Sequence, residues 1–128
     1  MKDKGKIWER KAVTEDYASA HKYLLLLFSE AEVKRLVGTQ RAAPTTEYEA
    51  KDLLRASQTY LLGKDDPHVA EDLKKIKKRK KLSPVLLVRG NGKLGVILTI
   101  ADGHHRICAS WHWDETLPVA CCVASLAE

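Results

Sequence analysis

The sequence predicts a small α+β domain: a mixed sheet with flanking helices, preceded by an N-terminal helical extension. Three observations predict it. Tyr17, Ala20, Leu24, Leu27 and Phe28 recur at helical spacing in the first quarter of the chain. Two continuous apolar runs, 85–88 and 119–123, have the length and composition of buried strands. Asn91-Gly92, Asp102-Gly103 and Pro118 punctuate the second half, as turns between short elements do. With 128 residues the chain is the size of one domain. It can bury roughly two-thirds of the surface its unfolded form exposes, so it needs no disulfide or metal to fold.

Taken in order, residues 1–13 are polar and read as a frayed lead-in. Thr14 can cap a first helix running to about Phe28. Ser29-Glu30-Ala31-Glu32 has the spacing of a capping box and opens a second, short helix that stops at Gly38. Residues 39–46, with Pro44, read as a linker, which divides the chain into an extension, 1–46, and a main domain, 47–128. The stretch 49–54 has helix-forming composition but is short enough to pair as a strand. Asp66-Pro67 is a helix start, because Asp66 can cap and proline at the first position loses no hydrogen bond. Residues 85–88 form a strand, Asn91-Gly92 turns it, and 95–100 returns as its hairpin partner. A helix follows from about His104 to Trp113, and Pro118 introduces the last strand.

Composition narrows the function classes. The three cysteines, Cys108, Cys121 and Cys122, are odd in number and form no CxxC pair, so no disulfide framework is expected. The longest apolar run, 23–28, is too short to span a bilayer, and the charged N-terminus leads into no signal-type segment. The expectation is a cytoplasmic protein without membrane contact. A net charge of +5 permits anionic partners. Much of that charge is concentrated in Lys74, Lys75, Lys77, Lys78, Arg79, Lys80 and Lys81. Such a run is usually a solvated helix face; its functional alternative is a nucleic-acid footprint.

The chemistry concentrates at Asp102-Gly103-His104-His105-Arg106, where a strand turns into a helix. Glycine allows close approach to the backbone. The first helical turn offers unpaired N–H groups and the positive end of the dipole, which suit a phosphate. Arg106 adds a planar fork for phosphate oxygens, and His104 and His105 add donors tunable near neutral pH. Asp102 reads first as the helix cap, with a magnesium contact through a bound nucleotide as the sharper alternative. His104, Cys108 and His112 share a helix face, but no fourth ligand is specified and Cys108 belongs on the core side, so no metal site is expected. Cys121 and Cys122, adjacent in a strand, point to opposite faces. Of Trp111 and Trp113, one is expected to pack and the other to rim the pocket.

Leu82-Ser83-Pro84-Val85-Leu86-Leu87-Val88-Arg89, then Ile100-Ala101-Asp102-Gly103-His104-His105-Arg106-Ile107-Cys108-Ala109 and Leu117-Pro118-Val119, resemble the ParB/sulfiredoxin superfamily. There a strand leads to a Gly-x-[His/Arg]-Arg helix start and a short closing strand follows. Leu53-Leu54-Arg55-Ala56-Ser57 and the helix from Pro67 are similar, more loosely, to the family's earlier strand and helix. The resemblance covers about residues 49–128. It implies that Gly103, His105 and Arg106 bind nucleotide phosphates, with Asp102 and His104 beside them, and that Arg55 matches an arginine near the site. His104 stands where sulfiredoxins carry their catalytic cysteine, which argues against sulfinic-acid reduction. The Asp-Gly-His-His-Arg variant is similar to stand-alone members that include a free-serine kinase. The implied ligand is ATP, ADP or CTP with Mg²⁺, and the implied activity is that of a small-molecule kinase or nucleotidase, with His104 and His105 as catalytic candidates. No general base stands out beyond the guesses Glu49 and Asp52. The competing expectation is a non-catalytic DNA-, RNA- or partner-binding module, or a ParB-like nuclease, using the basic helix 67–81.

Overall fold

The computed structural model describes residues 7–127. Five helices and a four-stranded mixed sheet follow one another as α1 (Thr14–Leu24), α2 (Glu30–Ala42), β1 (Thr46–Glu49), α3 (Ala50–Ser57), α4 (Pro67–Lys77), β2 (Val85–Val88), β3 (Thr99–Asp102), α5 (His104–Trp113) and β4 (Pro118–Ala124). The sheet order is β1-β4-β2-β3. β2 and β4 run parallel, while β1 and β3 pair antiparallel at the two edges.

Strand alternation divides the interior into two cores. Val85 and Leu87 of β2 and Val119 and Cys121 of β4 face α3, α4 and α5. Leu86, Val88, Cys122 and Ala124 face α1 and α2. This is the period-two geometry of a strand buried on both sides. Cys121 and Cys122 therefore lie in different cores, as their adjacency predicts. The N-terminal helices do not form an appendage: they supply Tyr17, Leu24, Val33 and Leu36, all buried, as one whole layer. Gln40 locks that layer to the sheet, its buried Nε2 donating to the Leu87 carbonyl at 2.9 Å.

Several elements depart from the sequence reading. The frayed lead-in contains Trp8, which is 5% exposed and donates from Nε1 to the Pro118 carbonyl at 3.0 Å. Val13, not Thr14, is the N-cap of α1, which ends at Leu24. Ser29 caps α2 as the capping box predicts, its hydroxyl accepting from the Glu32 N–H at 3.3 Å. The helix then runs through Gly38 to Ala42, because Val37 and Gln40 beyond the second turn are buried and hold it. Residues 46–57 form a strand followed by a helix, so Leu53 to Ser57, matched to a strand in the resemblance, is helical, with Leu53 and Leu54 buried. The partner of β2 is Thr99–Asp102, joined through a 3-10 turn at Gly92–Leu94 in place of a tight hairpin.

α4, α5 and β4 follow the expected signals. Asp66 Oδ1 accepts from the His68 and Val69 N–H groups at 2.9 and 3.1 Å, with Pro67 behind it. Among the described residues no helix is long and apolar enough to cross a membrane.

Candidate functional site

The turn from β3 into α5 is built around two features, a glycine and an arginine. Gly103 is the N-cap of α5 with φ +112°, a backbone conformation that side chains rarely tolerate. A Cβ there would meet Val85 Cγ1 at 2.5 Å and Arg106 Nη2 at 3.0 Å. The bare side of the glycine is thus filled by β2 and by Arg106, not left open to a ligand. No side chain caps α5. Asp102, read as the cap, instead turns to Arg106 one helical turn on.

Arg106 closes a clamp. Its Nη2 donates to Asp102 Oδ2 at 2.6 Å, and its Nη1 to Asp16 Oδ2 at 2.9 Å and to the Ser83 carbonyl at 2.7 Å. Ser83 Oγ donates to the same Asp16 oxygen at 2.6 Å and accepts from the Val13 N–H at 3.1 Å. The guanidinium side chain is 12% exposed. The clamp ties the end of β3, the start of α1 and the approach to β2 to one cation. The open fork expected for phosphate is therefore absent, because both terminal nitrogens are engaged inside the protein.

Two carboxylates sharing one arginine shape the local titration. Burial pushes the Asp102 carboxyl up to about 6, against the pull of Arg106; the neighbouring Asp16 pushes the same way as burial. Asp72, on α4 across the groove, is also raised by burial. Displaced carboxyl titrations of this kind accompany working sites as well as structural ion pairs.

The two histidines part ways. His104 Nε2 donates to the Tyr60 carbonyl at 2.8 Å and lies 3.5 Å from Cys108 Sγ. His112 Nε2 donates to the Leu62 carbonyl at 2.7 Å, and the Leu62 N–H reaches Cys108 Sγ at 3.5 Å. The shared face of His104, Cys108 and His112 thus holds the segment 60–62 against α5, which accounts for their spacing. His105 instead points toward α4, its ring tilted at 51° to that of His68 with centroids 4.8 Å apart, and lies 3.9 Å from Asp66 Oδ1, with its side chain 44% exposed. Trp111 and Trp113 both pack against the core, and neither lines the grooves described next.

Two grooves meet at this turn. A polar groove of about 400 Å³ runs between α1, α4 and α5, lined by Asp16, His68, Asp72, Lys75, Lys81 and His105 among others. A larger, mostly apolar groove of about 590 Å³ follows the outer side of β3. Gly103 and His105 line both. Arg55 is not brought to either: it lies on the solvent side of α3, paired with Asp52 at 3.1 Å. Glu49 is likewise remote, paired with Lys51 at 3.7 Å. Sequence reasoning missed Asp16, Ser83, His68 and Asp72.

In the basic run, Lys75 approaches Glu71 and Asp72 at 3.8 and 3.9 Å. Lys74, Lys77, Lys78, Arg79, Lys80 and Lys81 are exposed. Lys78 ends α4, so the later members of the run leave the helix rather than extend it.

No family model, curated protein or solved structure matches this chain.

Proposed function

We propose that the chain is a nucleotide-binding domain that receives phosphate where α5 begins, a reading that rests on the resemblance to the ParB/sulfiredoxin superfamily. The observation that carries it is local: the first turn of α5 has no side-chain cap and opens beside a polar groove of mixed charge, where Lys75, Lys81, His68 and His105 stand among Glu9, Asp16, Glu71, Asp72 and Asp102. Uncapped amides at the positive end of a helix accept anions, and neighbouring cations strengthen the preference.

The roles differ from those implied at first. The amides of His104 and His105 are the phosphate donors in this reading, with Lys75 and Lys81 neutralising charge. Arg106 is a positioning residue, fixing the turn through Asp102 and Asp16. Of the two candidate imidazoles, His105 is the one that lines the polar groove, with its side chain 44% exposed, whereas His104 is committed to the Tyr60 carbonyl. The groups that could receive Mg²⁺ are few. No set of three metal-ligating side chains comes together among the described residues, so the ion would enter with the nucleotide, with Glu9, Glu71 and Asp72 as the groove carboxylates outside the clamp. Phosphotransfer or nucleotide hydrolysis is the activity the resemblance implies for such a site.

Thermal melting in the presence of ATP, ADP or CTP, each with and without Mg²⁺, tests the reading. At least one nucleotide should raise Tm, and His105→Ala or Lys75→Gln should reduce the rise. A screen in which no nucleotide moves the melting curve would overturn it. The second reading, nucleic-acid binding through the exposed cations of 74–81, is favoured by their lack of acidic partners among the described residues, apart from Lys75. It requires binding that weakens steeply with salt and on changing Lys77, Lys78 and Lys80 to Gln.

A further inference from the structure

We propose that a notch where β2 and β4 end binds a small apolar monocarboxylate, an aryl or branched-alkyl acid, with Arg89 as its anchor. The inference is independent of nucleotide binding, because the notch shares no lining residue with the polar groove beside α5. It has a volume of about 300 Å³ and opens between α3, the ends of β2 and β4 and the segment 96–98. Ligand pockets run from about 300 to 1,000 Å³, mostly apolar with a few placed polar groups, so this one suits a small molecule.

Strand alternation explains the lining. Leu87 and Val123 are register partners on the face of the sheet that looks toward α3. Arg89 lies two residues beyond Leu87, and its N–H still donates to the Ala124 carbonyl at 2.8 Å, so the ladder carries the arginine to the same face. Leu53 and Ala56 come from α3 and Tyr48 from β1. Gly90 brings in the last wall. A Cβ there would stand 2.9 Å from the Leu98 N and 3.0 Å from the Val96 O, so the bare backbone is what lets 96–98 close down and carry Leu98 to the notch.

The result is an apolar floor with a cation at its rim. Leu53 and Leu87 are buried, Leu98 and Val123 half-buried, and Arg89 exposed. Among the described residues Arg35, Arg55 and Arg106 each hold a carboxylate, at 2.8, 3.1 and 2.6 Å. Arg89 holds none there: its side chain makes one long hydrogen bond, Nη2 donating to the Tyr48 hydroxyl at 3.4 Å. Asp52 is the one acid lining the notch, and Arg55 already occupies it. These features select the ligand. A carboxylate accepts two parallel, charge-assisted bonds from a guanidinium fork, while the apolar body of the acid covers the leucines. A second charge on the ligand would face Asp52 or the apolar floor, where an unpaired charge is costly. The notch therefore prefers a monoanion with one apolar body over diacids, phosphate esters and amines.

Phenylacetate and 4-methylpentanoate, titrated singly into the whole protein carrying ¹³C-labelled Leu and Val methyl groups, test this. The methyl signals of Leu53, Leu87, Leu98 and Val123 should shift in a saturable manner. Phenylacetamide, the neutral analogue, should bind at least tenfold more weakly, as loss of a charge-assisted bond requires. Arg89→Gln, at an exposed position and checked by melting for an intact fold, should weaken phenylacetate by a similar factor and leave phenylacetamide unchanged. A merely structural arginine would affect both ligands alike. Ala56→Phe, also at an exposed position, should fill the notch and abolish binding of either acid. Equal affinity for the acid and the amide, acid binding untouched by Arg89→Gln, shifts confined to other methyl groups, or no shift at all would overturn the proposal. So would displacement of phenylacetate by an equal concentration of inorganic phosphate, because Arg89 would then be an anion contact that ignores the apolar floor.

Discussion

Replacing Gly103 with alanine should destabilise the protein by about 3 kcal/mol. Two separable costs contribute. At φ +112° an L side chain strains the backbone by roughly 1–2 kcal/mol. The new methyl would also lie 2.5 Å from Val85 Cγ1 and 2.8 Å from Val85 Cβ, and both atoms belong to a fully buried side chain with nowhere to move. Overpacking of that kind costs typically 1–3 kcal/mol. At about 4 °C per kcal/mol for a domain of this size, Tm should fall by roughly 12 °C. Gly95→Ala is the control for the first cost, because Gly95 has φ +69° but nothing within 4 Å of the added Cβ. It should lose about 1 kcal/mol, and the difference between the two variants isolates the clash. Val85→Ala in the Gly103→Ala background should then cost less than the sum of the single changes, since it removes the atom being struck. Urea denaturation of the four variants measures all of this. A Gly103→Ala loss no larger than that of Gly95→Ala would refute the close approach of β2 to the α5 turn.

Further outcomes follow from the clamp and the cores. Arg106→Ala should cost about 3–5 kcal/mol, because it leaves Asp16 and Asp102 facing one another without their cation; chemical denaturation at neutral pH reads it, and a loss under 1 kcal/mol would contradict the clamp. Asp102 holds its proton more tightly folded than unfolded, so its contribution is full below the unfolded value near 3.8 and is lost as pH rises through about 6. Wild type compared with Asp102→Asn by melting between pH 3.5 and 7 should differ in that window, wild type losing ground as pH rises; parallel curves would refute it. All three cysteines are buried, with burial raising each thiol and pushing Cys121 to about 12, so none should react with a thiol reagent until the protein unfolds.

The elements legible from the sequence were those with local causes. The buried run of β2, the proline-led β4, the Asp66-Pro67 start of α4 and the glycine-to-helix turn at α5 each carry their signal within a few residues. What escaped was decided at a distance. Gly38 looks like a helix stop, yet α2 continues because Gln40 reaches the Leu87 carbonyl across the sheet. Trp8 looks like part of a polar tail until Leu82 and Pro118 receive it. At the site, the glycine-led turn into α5 was readable, but the fate of its arginine was not. Asp16 lies 90 positions before Arg106 and Ser83 lies 23 before it. No local pattern couples those residues, so a cation that reads as a ligand-binding fork proves to be an internal tie.

Central to the proposed function is that the first turn of α5 accepts an anion while Arg106 remains clamped. Titration of the ¹⁵N-labelled protein with ADP and Mg²⁺, followed by amide chemical shifts, tests that most directly. The amides of His104 and His105 should move in a saturable manner, with the Arg106 guanidinium signals unchanged. Shifts confined to the basic run 74–81, or none at all, would contradict it.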